Sequence, residues 1–162
     1  MPTTVRAATI ADAPAISELV CRVAQETIFA DGPEEGCKYF LAMNTAAATA
    51  GKMGSDPYRY YVAELDGRVV GIVAMLNNTN VYHLFVDTAQ HGKGIGRKLW
   101  EHARDSCLRR GNPGRFTVDA TLDTIGAYEK FGFRVSGEQR VRNGHPSLPM
   151  TLDEVGQRRQ DR

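Results

Sequence analysis

Cysteine is scarce in this chain of 162 residues: Cys21, Cys37 and Cys107 are odd in number and far apart, with no CxxC pair. That arithmetic excludes a disulfide framework, and the three read as buried free thiols in a reducing compartment. An excess of one charge sign is missing as well. Twenty basic residues stand against 19 acidic ones, for a formal net charge of +1, so no global field favours nucleic acid or an anionic membrane and any anion site must be local. No apolar run approaches the roughly 20 residues of a membrane span, and the opening MPTTVRAATIADAP lacks the charged-then-apolar order of a secretory signal. A cytoplasmic protein with no membrane or nucleic-acid partner is expected. No histidine, cysteine and carboxylate set has metal-ligand spacing, so no metal is expected. Repeats, low-complexity tracts and linkers are absent, and the length suits one domain that buries about two-thirds of its unfolded surface. One domain over residues 1–162 is expected, with a polar tail from Gly156.

Within that frame the hydrophobic pattern is regular. TTVRAAT alternates as a strand, and Ile16, Leu19, Val20, Val23, Ala24 and Ile28 recur at helical spacing. Thr9 or Asp12 can cap that helix, and Pro14 falls in a first turn that donates no intrahelical hydrogen bond. ADGPEEG breaks the pattern. A second helix is predicted from Glu34 to about Met53, carrying Cys37, Phe40 and Leu41 inward and ending at GKMGSDP. In YRYYVAELDGRVVGIVAML, Asp66-Gly67 supplies the positive φ angles of a tight hairpin turn. VYHLFV is apolar throughout, as for a strand central in a sheet. HGKGIGRKLWEHARDSCLRRG is a glycine loop feeding a helix with Ile95, Leu99, Ala103 and Cys107 every fourth residue. After GNPG come strand RFTVDAT, short helix LDTIGAYEKFG, strand FRVSG and a last strand near SLPMTL. The order β α α β β β α β α β β describes one α+β domain.

The glycine loop carries the first chemical signal. Glycine at 92, 94 and 96 allows close backbone packing, and where such a loop opens a helix its free N–H groups and the helix dipole converge on an anion site. Lys93, Arg97 and Lys98 add charge. The triphosphate loop GxxxxGK[ST] fails, because Gly92-Lys93 is followed by Gly94. The dinucleotide fingerprint GxGxxG fails, because position 97 is arginine and no acidic residue closes a following strand at the right distance. A phosphate-bearing ligand and an empty glycine-rich turn both remain open on these residues alone.

LFVDTAQHGKGIGRKLW resembles the [QR]xxGx[GA] motif of the GNAT superfamily of N-acetyltransferases, with His91 in place of the usual glutamine or arginine and Gln90 one residue early. TLDTIGAYEKFGF resembles the family's helix ending in YEKxGF, and VRAATIADAPAI and the DGRVVG hairpin also look like family elements. The likeness runs from about Val5 to Leu152. It implies the GNAT fold: a mixed central sheet of about seven strands, splayed at the cofactor cleft and flanked by four helices.

The resemblance also implies chemistry. Acetyl-CoA, as acetyl donor, would lie where VYHLFV and RFTVDAT part. Leu84, Phe85 and Val86 would supply backbone hydrogen bonds, and His91, Gly92, Lys93, Gly94, Ile95, Gly96 and Arg97 would wrap the pyrophosphate. An N–H near Leu84 would polarise the thioester carbonyl. Tyr128 stands at the position of the family's general acid, and Asp123 where an asparagine often touches the cofactor, although Asp123 or Thr121 can also simply cap the helix. Asp119 replaces another frequent asparagine. Transfer would be direct, since no cysteine sits at a motif position suited to an acyl-enzyme. Relatives often carry a glutamate base on the strand before the loop, but the matching position is about Asn80, which cannot take a proton. Of the neighbours Tyr82 and His83, alternation sends one to each face, so at most one would point into the cleft. His102 and His145 read as surface residues. The expected acceptor is a primary amine of a small molecule. Acetylation of a protein lysine or N-terminus, which would want carboxylates such as Asp31, Glu34 and Glu35 along a groove, and a non-catalytic acetyl-CoA sensor are the alternatives. A homodimer through the C-terminal strands is a further expectation.

Overall fold

Side chains of one mixed sheet alternate between two helical layers, and that division organises the molecule. The computed structural model describes residues 2–31, 34–142 and 144–155; the tail expected from Gly156 lies outside them. In chain order the elements are β1 (Thr4–Ala7), α1 (Ala13–Glu26), α2 (Glu34–Met43), α3 (Ala46–Met53), β2 (Tyr58–Leu65), β3 (Arg68–Leu76), β4 (Asn80–Val86), α4 (Ile95–Arg109), β5 (Arg115–Thr121), α5 (Ile125–Lys130), β6 (Arg134–Val135), β7 (Arg140–Arg142) and β8 (His145–Asp153). The sheet order is β1-β2-β3-β4-β5-β8-β6, with β7 also on β8. Among the described residues only β4 and β5 run parallel; every other pair is antiparallel.

This is the expected α+β GNAT fold, with eight strands and five α-helices among the described residues rather than about seven and four. Two local causes account for the difference. The helix expected from Glu34 to Met53 breaks at Asn44-Thr45, where Thr45 becomes an N-cap accepting from the Ala48 N–H at 3.1 Å. Asn44 turns its own carbonyl toward α1, where the Ser17 hydroxyl donates to it at 2.6 Å. The extra strand is β7, inside the connection that follows β6. Elsewhere local signals hold: Asp66 and Gly67 take φ of 52° and 76° at the β2–β3 turn. Asp12 does not cap α1 with its side chain; its carboxylate accepts from the Thr9 N–H and from the Arg6 guanidinium, which ties β1 to the turn that follows it.

One face of the sheet packs Ile16, Leu19, Val20 and Val23 of α1 against Tyr60, Val62, Ile72 and Ala74. The other packs Leu99, Trp100, Ala103 and Cys107 of α4 against Val73, Met75, Phe116 and Val118, with Tyr128 and Phe133 closing that side. No helix among the described residues is long and apolar enough to cross a membrane.

The turn between α4 and β5 fixes where β5 begins. Asn112 is buried, donates to the carbonyls of Asn78 (2.7 Å) and Arg115 (2.8 Å), and accepts from the N–H groups of Gly114 and Arg115. One amide thereby locks the β3–β4 turn to the first residue of β5. Replacing it with leucine strands three backbone groups, since the Arg115 carbonyl keeps the Thr79 hydroxyl, each costing about 1 to 3 kcal/mol when buried and unmet and less where water reaches it. Asn112→Leu is therefore expected to lose about 2 to 4 kcal/mol in urea unfolding; a loss below about 1 kcal/mol would show that the turn does not depend on it.

Candidate active site

The strands β4 and β5 pair at only two positions, Asn80↔Thr117 and Val81↔Val118. That closed end is reinforced: Thr117 N–H donates to the Thr79 carbonyl (3.0 Å), Thr79 Oγ1 to the Arg115 carbonyl (3.0 Å), and Asn80 Nδ2 to Thr117 Oγ1 (3.0 Å). Beyond it the strands part, because β4 stays in register with β3 as far as Val86 while β5 stays with β8 as far as Thr121. Asn80, at the position of the family's glutamate, thus serves as a clamp at the vertex of the opening.

The opening shows in the burial of β4. It is central in sheet order, where both faces should be covered, yet Val81 is its only fully buried residue and Tyr82 to Val86 are all partly exposed. Asp87 N–H donates to the Val70 carbonyl at 2.8 Å. Antiparallel alternation then turns the main-chain groups of Phe85 toward β3 and those of Leu84 and Val86 into the gap. The main-chain groups of Leu84 and Val86 are thus turned into the gap, whereas those of Phe85 are used by the sheet.

A cleft of about 830 Å³ passes through this gap from one face of the sheet to the other. On the α4–α5 side it is lined by Gly92, Gly94, Ile95, Gly96, Ala127, Tyr128 and Phe131, and on the α1–α3 side by Phe40, Met43, Asn44, Tyr82, His83 and Phe85. Gly94 is the N-cap of α4 at φ 78° and Gly92 has φ 80°, so both need the left-handed region that glycine adopts without strain. A glycine cap offers no side chain to the helix end. The N–H groups of the first turn have no intrahelical acceptor and find none elsewhere among the described residues, so a 15-residue helix aims an uncapped positive end at the cleft.

The charged side chains of the loop act differently from expectation. Neither Lys93 nor Arg97 lines the cleft. Lys93 Nζ donates to Gln90 Oε1 (3.0 Å), and Arg97 donates to the Lys130 carbonyl (3.3 Å) while stacking on Phe131 (5.3 Å), so it ties the loop to α5. His91 does line the cleft, but its Nε2 bonds the Val86 carbonyl at 2.9 Å and so holds the loop against the end of β4. An anion at this end of the cleft would therefore meet mainly main-chain groups.

Tyr128 is buried, its ring edge-on to Phe131 (5.9 Å) and Phe133 (5.5 Å), and burial pushes its phenol well above the ordinary tyrosine value. Asp123 and Asp119 line the same cleft. Thr124, not Asp123 or Thr121, is the N-cap of α5, with its hydroxyl donating to the Thr121 carbonyl at 2.8 Å. The expected opposition of Tyr82 and His83 fails. A register shift between Ala74 and Met75, opposite Tyr82, interrupts the alternation, and both side chains lie toward α1–α3, their rings 4.3 Å apart.

His83 faces Asn44 Oδ1 at 3.0 Å. Asn44 Nδ2 donates to the Phe40 carbonyl (2.9 Å), which leaves Oδ1 as acceptor and assigns the proton to His83 Nε2. Burial, helped by nearby Lys52, pushes the His83 imidazole down to about 3, and burial pushes the Tyr82 phenol up. His83 is thus neutral and a weak base, and Tyr82 keeps its proton.

Two residues read differently from the sequence expectation or escaped it. His145 is no surface residue: it lines the cleft, meets Phe29 edge-on at 5.4 Å, and has a buried Nδ1 with no partner. Ser147, two residues on, is 2% exposed, lines the cleft and has an unpartnered Oγ. No local pattern marks either, since both depend on the end of α1 folding over β8. His102 is half-buried against Tyr61. None of the three free cysteines lines the cleft, and Cys21 and Cys37 are half-buried rather than buried. Among the described residues no cluster of three or more histidine, cysteine or carboxylate side chains could hold a metal.

Comparison with known proteins agrees with this geometry. The model of the acetyltransferase (GNAT) domain matches residues 28–154. Among solved structures, a GCN5-related N-acetyltransferase (aminotransferase, class II) from Rhodopseudomonas palustris superposes with a TM-score of 0.79 at 20% identity, covering 94% of this chain and 96% of the other. PaiA N-acetyltransferase from Thermoplasma acidophilum, solved in complex with coenzyme A, gives 0.81 at 15% identity over 94% and 99%. The ribosomal-protein-S18-alanine N-acetyltransferase from Escherichia coli gives 0.64 at 18% identity over 93% of both. At these identities the structural likeness speaks for the fold. No curated protein sequence matches the chain.

The uncapped helix end yields a test that separates charge from backbone strain. Asparagine tolerates the left-handed region and is close in shape to aspartate, so Gly94→Asn measures strain and Gly94→Asp adds one carboxylate. An acidic group at a helix N-terminus does not endanger the helix. Gly94→Asp is expected to bind coenzyme A at least about tenfold more weakly than Gly94→Asn in calorimetry; equal affinities would remove the anion site from the loop.

Proposed function

Because the chain belongs to the GNAT acetyltransferase family, we propose that it carries the acetyl group of acetyl-CoA directly to a primary amine of a small molecule. The observation that carries this reading is the single cleft crossing the sheet at the β4–β5 opening, which lets a donor approach from the α4–α5 face and an acceptor from the α1–α3 face.

The residues present suit acetyl-CoA. The end of α4 and the glycine loop offer main-chain donors to its pyrophosphate, and the outward groups of Leu84 and the Val86 N–H offer strand-like hydrogen bonds to its pantetheine. Acetyl-CoA supplies an acetyl group on a thioester. The Leu84 N–H points into the gap where the thioester carbonyl would lie, and a fixed donor aimed at developing negative charge is usually a large catalytic contribution. That Asp123 lines the cleft wall before α5 supports reading it as a contact to the donor.

Tyr128 holds the proton that the departing sulfur needs. Burial that keeps the phenol protonated also raises the basicity of a thiolate formed beside it, so the match between the two survives in the dry site. A covalent acyl-enzyme has no suitable nucleophile: no cysteine lines the cleft, and burial pushes the Cys21 and Cys107 thiols up. Neither His83 nor Tyr82 is suited to take the proton of the amine, so that proton leaves through water in the cleft. The wall of the acceptor half supports a small acceptor over a peptide, since Asp31, Glu34 and Glu35, the carboxylates a peptide groove would use, are not among its lining residues.

Phenylalanine at 128 keeps the ring contacts with Phe131 and Phe133 and removes only the proton. Tyr128→Phe is expected to lower kcat about a hundredfold or more while leaving the KM for acetyl-CoA within about twofold. Unchanged turnover would remove Tyr128 from the mechanism.

A further inference from the structure

The acceptor half of the cleft has a composition of its own. Phe40, His83 and Phe85 line it as a chain of rings, with centroids 6.0 Å apart for Phe40–His83 and 5.3 Å for His83–Phe85, and Phe29, outside the lining, meets Phe40 at 5.5 Å. At the mouth Tyr39 and Met43 of α2 line the same cavity and are 55% and 43% exposed, a large apolar rim that nothing among the described residues covers. The acidic residues lining the cleft are Asp119 of β5, which alternates with Phe116 and Val118 and so faces the acceptor half, and Asp123 before α5; α1–α3 contribute none. Lys52 instead sits over the Tyr82 ring at 5.3 Å, with its ammonium held by the Met43 carbonyl at 2.7 Å. A polyamine or aminoglycoside brings several positive charges, and the cleft offers them Asp119 and Asp123 as its acidic lining residues.

At the inner end of the ring chain the character changes. His145 Nδ1 and Ser147 Oγ are buried, line the cavity and have no partner. Buried polar groups are nearly always hydrogen-bonded, and one left unmet is costly. Two on one strand, at the end of an aromatic wall, mark a place for a ligand's polar head.

Resting on the acetyl-transfer reading above, we propose that the acceptor is a small arylalkylamine: its ring lies against Phe40 and Phe85 under the Tyr39–Met43 rim, and its amino group is hydrogen-bonded by His145 and Ser147. The amine nitrogen attacks the thioester carbonyl, the new C–N bond replaces the C–S bond, the sulfur takes its proton from Tyr128, and the proton lost by the nitrogen passes to water, which restores the Tyr128 phenol. Aromatic contacts hold a flat apolar body and still tolerate a cationic amine over a ring face.

The test is thiol release from acetyl-CoA with phenethylamine and tryptamine against spermidine, kanamycin, a lysine peptide and a peptide with N-terminal phenylalanine. Phenethylamine or tryptamine is expected to exceed all of these at least tenfold in kcat/KM. Ser147→Ala and His145→Phe, the latter keeping a ring against Phe29, are expected to lower that value about tenfold with the KM for acetyl-CoA unchanged. Tyr39→Ser, at an exposed rim position with little bearing on folding, should raise the KM for the arylalkylamine severalfold. Preference for spermidine, kanamycin or either peptide would overturn the acceptor class and leave acetyl transfer standing. Binding of acetyl-CoA in calorimetry, with neither turnover of the arylalkylamines nor their saturation-transfer signal on the protein, would overturn it as well. Failure to bind acetyl-CoA would instead bring down the reading on which it rests.

Discussion

Two pairs of residues hold β4 to β5, Asn80 with Thr117 and Val81 with Val118, and the whole site depends on the ladder stopping there. A parallel pair continued to Val86 would bury the outward groups of Leu84 and Val86 and close the sheet. Instead each strand follows its antiparallel neighbour, and the gap widens toward the glycine loop. Everything the site uses borders that gap: strand donors on one side, Tyr128 beyond the other, a helix end above, an aromatic chamber below. The clamp at the closed end fixes the angle, which is why Asn112, far from the chemistry, matters to it through Asn78 and Arg115.

Electrostatics in the site come from dipoles more than from side-chain charge. The chain as a whole is nearly neutral, and the loop's cations point elsewhere, Lys93 to Gln90 and Arg97 to the end of α5. What remains toward the cleft is the end of α4 and the N–H groups of the loop, fixed in direction by backbone geometry and needing no side chain to be ordered on binding. On the acceptor side the same economy holds: burial strips His83 of its tendency to charge, and the wall it joins is apolar.

Much of this was legible in the sequence because the signals are local. The Asp66-Gly67 hairpin, the glycines at 92 and 94 with φ near 80°, the four-residue spacing from Ile95 to Cys107, and Tyr128 before its aromatic partners are each determined within a few residues. What escaped depends on contacts between distant segments. Tyr82 and His83 share a face only because β3 and β4 slip by one residue opposite them. The helix after Glu34 breaks because Asn44 serves α1 and His83 as well as its own chain. His145 enters the cleft because Phe29, more than a hundred positions earlier, folds over it. Composition and periodicity carry no trace of such pairings.

The central claim is that β4 turns alternate main-chain groups into a gap that receives the donor. Amide hydrogen exchange, resolved residue by residue with and without saturating coenzyme A, tests it most directly. Protection should rise at Leu84, Val86 and the amides from Gly92 to Gly96, and stay the same at Phe85, whose N–H the sheet already uses. Saturation with coenzyme A and no new protection at Leu84 and Val86 would contradict the account.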